Sequence, residues 1–145
     1  MLIKLLTLGD ALDILSISID DETKRRLDGI QRRLGFRSRS KLLRNAIQGL
    51  MKDYEALEGL GGVVEAVFVV SYKESEKNHV SNTLHKFKED VLSELHQHGR
   101  GSCIDVLNIR APAKRVQSMF VTLKRNKCVY SVVYSIISAW GKSSG

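Results

Sequence analysis

The sequence predicts an α+β chain made of two small domains, a strand followed by two helices and then a βαββαβ unit. Three observations carry that reading. From Ile14 to Ile19 the residues follow the two-residue period of a strand. Two stretches of helical period occupy most of residues 20–57, and a glycine cluster, Gly59, Gly61 and Gly62, then separates them from apolar runs of strand character.

In the first unit Leu15, Ile17 and Ile19 share one face of the predicted strand, against Ile14, Ser16 and Ser18 on the other. Asp20 and Asp21 supply an N-cap for a helix that carries Leu27, Ile30 and Leu34 and ends at Gly35. Ser38 caps a second helix running toward Leu57, with Leu42, Leu43, Ala46, Ile47, Leu50, Met51 and Tyr54 on a wide apolar face. A single short strand leaves its backbone groups unpaired, and so small a unit buries little surface. Two copies pairing their strands antiparallel meet both needs, and the resulting ribbon fits the major groove of a duplex.

Glu58–Gly62 has the composition of a hinge and is taken as the domain boundary. Beyond it the pattern predicts a strand over Val63–Tyr72, a helix from Glu76 to about Asp90, and a strand over Val91–His98. A turn at Gly99–Ser102 leads to a strand over Cys103–Arg110, then a helix from Ala113 to about Lys127 and a last strand over Cys128–Ser138. That order is ferredoxin-like. The expected domains are thus 14–57 and 63–140, with an N-terminal extension over 1–13 and a frayed tail over 141–145.

Hydrophobic residues at 43% and charged residues at 27% describe an ordinary globular chain. The longest apolar runs fall well short of the ~20 residues that cross a bilayer, and the two cysteines make a poor disulfide framework, so a soluble cytoplasmic protein with reduced thiols is expected. The net charge is +7, and nine Lys or Arg fall between Lys24 and Arg44 against one acid, Asp28. Such a field suits phosphates. No glycine-rich phosphate loop, oxyanion-hole motif or oriented nucleophile is evident, so no enzymatic activity is expected.

The first unit resembles the ribbon-helix-helix family of DNA-binding proteins, through Ile14–Asp21 as the strand, Gly35–Phe36 as the turn and Ser38–Arg39–Ser40 opening the second helix. The resemblance implies an intertwined dimer in which Ile14, Ser16 and Ser18 face base edges, while Arg37, Ser38, Arg39 and Ser40 anchor phosphate. The first reading position is often Arg or Lys in that family. Ile14 can meet a thymine methyl but cannot pair bidentately with guanine.

In the second unit His96 and His98 lie two apart on one predicted strand, so both point to the same face. Cys103 follows across the hairpin, and two imidazoles with a thiolate suit a late first-row divalent metal. A fourth donor is available in His85, either from the same chain or from another subunit. His79 and Cys128 read as structural, and Tyr54 and Trp140 as packing residues.

This order of residues resembles the nickel-responsive regulator family, over roughly residues 14–138. The family joins a ribbon-helix-helix domain to a ferredoxin-like, ACT-like domain that binds nickel at a tetramer interface. The resemblance implies His85, His96, His98 and Cys103 as ligands for Ni2+, with Cu2+, Co2+ or Zn2+ as alternatives and copper the tightest by intrinsic affinity. It also implies Asp105 as an acceptor orienting a ligand imidazole. Here the cysteine follows the His pair at a spacing one residue shorter than in the family, and Lys41 and Asn45 stand where relatives often carry acids. The expected function is a metal-responsive repressor, a homodimer through the ribbon and a homotetramer through the second domain, acting on an operator duplex. The alternative is a DNA-binding regulator whose second domain senses a small molecule or only oligomerises.

Overall fold

The computed structural model of the chain describes residues 13–140, so the tail over 141–145 and all but the last residue of the extension over 1–13 lie outside the described residues. Two compact units part within one helix, between Ile47 and Gln48.

In the first unit helix α1 (Asp21–Leu34) starts as its cap residues dictate. The Asp20 carboxylate accepts from Thr23 N at 2.7 Å and from its hydroxyl at 2.8 Å, and these bonds hold the carboxyl below its ordinary range. Acids occupy the first turn and Arg32 and Arg33 the last, which matches the helix dipole. Gly35, at φ 71°, ends the helix, and Phe36 N donates back to Gln31 O, so the left-handed turn the sequence asked for is present. Helix α2 (Arg39–Glu58) begins where Ser38 Oγ accepts from Lys41 N at 3.2 Å.

Among the described residues of this unit only Leu42 is buried, while Leu15 (80% exposed), Ile17 (59%) and Leu34 (64%) face outward. Residues 14–19, expected as a strand, form none within one chain. The reason is physical: a strand is defined by the ladder it makes, and the described residues of this unit include no neighbouring strand. The apolar side of the alternation, Leu15, Ile17 and Ile19, is left exposed among the described residues.

The second unit is a four-stranded sheet in the order β2-β3-β1-β4, formed by β1 (Val63–Lys73), β2 (Val91–Gly99), β3 (Ser102–Pro112) and β4 (Val129–Trp140). All neighbours are antiparallel, as a ferredoxin-like βαββαβ unit requires. Alternate residues of β1, from Val64 through Phe68 to Tyr72, point into a core closed by α3 (Lys77–His85) and α4 (Ala113–Arg125). From α4 come Val116, Met119, Phe120 and Leu123, and from α3 Val80 and Leu84. The β2–β3 hairpin turns on Arg100 (φ 53°) and Gly101 (φ 80°), the pair of positive φ values that matches strand twist in a two-residue loop.

The helix expected from Glu76 to Asp90 stops at His85, between short 3-10 turns at Glu74–Glu76 and Lys88–Asp90. Phe87 is drawn into the core, so the chain tightens through Phe87 N→Leu84 O. Arg115 from α4 then takes the freed Lys86 carbonyl at 3.1 Å and grips Asp90 at 2.7 and 3.0 Å. A helical period alone could not show this tertiary capture.

The end of α2 is built into the second unit. Leu57 is fully buried, its carbonyl accepts from Gln117 Nε2 at 2.7 Å, and Tyr134 OH donates to Asp53 O at 2.5 Å. Leu60 packs on the same core, and Gly62 O accepts from Ala113 N at 2.9 Å. Leu57→Ala is therefore expected to destabilise the second unit by about 2–5 kcal/mol in urea unfolding. A loss below about 0.5 kcal/mol would contradict this anchoring.

Candidate metal centre and nucleic-acid surface

The hairpin register sets the geometry of the candidate centre. His98 lies opposite Cys103 and His96 opposite Asp105, so all four side chains project to the helix-covered face of the sheet. The two imidazole rings are 5.9 Å apart between centroids. Cys103 is fully buried and Asp105 only 2% exposed.

Asp105 is held from two sides. Its Oδ1 pairs with His96 Nδ1, and its Oδ2 accepts from Tyr72 OH at 2.7 Å. Burial, then the bond to Asp105, drives the Tyr72 hydroxyl well above its ordinary range, so it remains a donor. With Nδ1 committed to a carboxylate, the neutral imidazole presents its lone pair at Nε2. That Nε2 atom is buried and has no hydrogen-bond partner among the described residues. A carboxylate behind one ring nitrogen and a free lone pair on the other is the arrangement a metal-ligating histidine adopts.

His96 also faces a cavity of about 320 Å³, whose walls include Tyr72, Lys77, His85, Glu94 and Asp105. His85 at the end of α3 thus lines the same cavity as His96 of its own chain. His98 is largely exposed, with Nδ1 3.9 Å from Glu74 Oε1. Among the described residues no three His, Cys, Asp or Glu side chains converge closely enough in one chain to hold a metal. The expected ligands therefore share a face or a cavity without meeting at one point. Tyr72 escaped the sequence reading because its meeting with Asp105 depends on the register of β1 against β3, where Tyr72 lies opposite Cys103. The sequence placed Tyr72 at the end of a strand over Val63–Tyr72, and nothing in that run marked it as a partner for Asp105.

On the first unit Ile14 is 95% exposed, and Ser16 and Ser18 are also exposed. Arg37 and Ser40 are exposed, whereas the Ser38 hydroxyl is engaged at the α2 start. Arg39 is forked onto Asp28 at 2.6 and 2.8 Å, and that bond holds the Asp28 carboxyl below its ordinary range. No described helix is long and apolar enough to cross a membrane.

Residues 14–54 match the family model described as ribbon-helix-helix protein, copG family. The N-terminal unit is a ribbon-helix-helix domain. Ribbon-helix-helix domains bind DNA as dimers, and the outward Ile14, Leu15 and Ile17 are consistent with that habit. Similarity extends past this domain. A protein of Methanocaldococcus jannaschii is 24% identical over 135 residues, covering 90% of this chain and 96% of the relative. One of Methanocella arvoryzae is 23% identical, covering 86% and 91%, and one of Pyrococcus abyssi is 28% identical, covering 70% and 76%. Each of the three bears the name "Putative nickel-responsive regulator". A solved uncharacterized protein of Thermotoga maritima covers 53% of this chain and 98% of its own at a TM-score of 0.45 and 20% identity. The family match is thus confined to residues 14–54, and the similarity over the rest of the chain is to proteins that bear the regulator name.

Tyr72→Phe leaves Asp105 Oδ2 without its donor in a buried site. The expected loss is about 1–3 kcal/mol in denaturant unfolding of the metal-free protein. An unchanged midpoint would contradict the buried pairing described here.

Proposed function

We propose that this chain is a nickel-responsive repressor that binds an operator duplex through the ribbon-helix-helix domain and senses metal through the ferredoxin-like domain. The observation that carries the reading is His96, whose Nδ1 is taken by buried Asp105 while Nε2 lies buried and unpartnered. His98, Cys103 and His85 are proposed as the further ligands. Because they do not converge within one chain, the site is completed where two chains meet, with His85 coming from the neighbour.

Nickel would supply a bond network that ties imidazoles and a thiolate across that junction, and Cu2+, Co2+ and Zn2+ compete for the same donors. A free thiol at Cys103 suits a reducing cytoplasm. The homotetramer is supported by the sheet's other face, where Leu95, Val106, Val69 and Val133 form one apolar row across all four strands. Leu95 is 56% and Val133 60% exposed, and burial of such a row favours association.

Ile14, Ser16 and Ser18 are proposed to face bases, and Arg37, Ser38, Arg39 and Ser40 phosphate. Metal then acts by population shift: it favours the arrangement in which two ribbons engage two half-sites, and does so only through tighter binding to that arrangement. Since Leu57, Leu60 and Gly62 are tied to the sheet body, the flexing point lies in α2 upstream of them, rather than within Glu58–Gly62.

Titration of a duplex, selected by the native protein from a random-sequence pool, tests this reading. Ni2+ is expected to raise affinity about 5- to 150-fold, and His96→Ala to abolish the response. Equal affinity with and without metal would refute metal control while leaving DNA binding intact.

A further inference from the structure

Asp28 lies in the middle of α1 and Arg39 opens α2, yet their side chains meet as a fork, Nε to Oδ1 at 2.6 Å and Nη2 to Oδ2 at 2.8 Å. The fork uses two of the five guanidinium N–H donors and leaves the outer edge of the group for another acceptor. Arg39 keeps 51% of its side chain exposed, so that edge is open to solvent. A cation at the start of a helix also meets the positive end of the dipole, and the carboxylate of Asp28 offsets that repulsion.

We propose that Asp28 is a positioning residue for DNA binding: it fixes the Arg39 guanidinium so that its free edge meets a backbone phosphate at the start of α2. The inference rests on the DNA-binding part of the reading above and is independent of metal. A planar guanidinium can be gripped by a carboxylate along one edge and a phosphate along another, which an ammonium cannot reproduce. Arg32 lines the same shallow surface as Asp28, Arg39 and Ser40, and Lys24 also acts on the Asp28 carboxylate, so phosphate is the acceptor that the local charge favours.

Two physical effects oppose each other here, which gives the test its sign. Asp28→Asn adds one positive charge to the DNA-binding unit, and simple electrostatics makes the variant bind DNA more tightly. Loss of positioning makes it bind more weakly. The experiment measures fluorescence anisotropy of the full chain on the selected duplex over a salt series, at a temperature where circular dichroism shows native helix content.

Asp28→Asn is expected to bind about 3- to 10-fold more weakly despite its added charge. Arg39→Ala is expected to reduce the slope of log affinity against log salt by about 0.9, the signature of one lost phosphate contact. Arg39→Lys keeps the charge without the fork and is expected to weaken binding as Asp28→Asn does, so the test survives if Asp28→Asn misfolds. Asp28→Asn binding as tightly as the native chain or more tightly, or an unchanged salt slope in Arg39→Ala, would overturn the proposal. A native chain that binds no duplex would instead overturn the DNA-binding reading and this inference with it.

Discussion

The buried carboxylate of Asp105 is the constraint on which the arrangement of the second unit's candidate site depends. It is the one charged side chain in the core among the described residues, and a carboxylate there must be hydrogen-bonded to be tolerated. Tyr72 satisfies one oxygen and His96 Nδ1 the other, which orients the imidazole and leaves Nε2 buried without a partner among the described residues. Without Asp105 the ring would lose the partner that holds its Nδ1 edge. The strand register enforces the arrangement, because it sets His96 against Asp105 and His98 against Cys103 in a single hairpin.

The same chain leaves its surfaces unfinished in two places. In the first unit the alternation of residues 14–19 has no ladder of its own, and one side chain alone is buried among those described. Folding entropy cannot be offset by so little burial, so the unit demands a second copy. In the second unit the apolar row from Leu95 to Val133 lies on the face away from the helices. Both unfinished surfaces fit association with further copies of the chain, which accords with candidate residues that share a face without meeting at a point among the described residues.

Much of the fold was legible because its signals are local. Asp20, Gly35 and Ser38 mark helix ends by side-chain and backbone chemistry that acts within a few residues, and each does so in the structure. The apolar run that forms β1 and the glycine-containing turn that closes on Arg100–Gly101 likewise announce themselves over short spans. What escaped was decided over long separations. Phe87 ends α3 early because the core draws it in and Arg115, from α4, takes the exposed carbonyl. The reading that set Arg39 among the phosphate anchors did not foresee that Asp28, eleven residues earlier, already holds it. Tyr72 reaches Asp105 across a strand pairing that no window of sequence contains.

Glu58–Gly62 shows how composition and packing can part company. Its three glycines suggest a loose joint, yet Leu60 and the Gly62 carbonyl are tied to the sheet body and the helix before them is clamped by Tyr134 and Gln117. Nickel-edge X-ray absorption of the purified, metal-loaded protein tests the proposed metal centre most directly. Imidazole nitrogens and one sulfur are expected around nickel, with the sulfur lost in Cys103→Ser. A nickel environment of oxygen and nitrogen alone in the native chain, unaltered by Cys103→Ser, would contradict that centre.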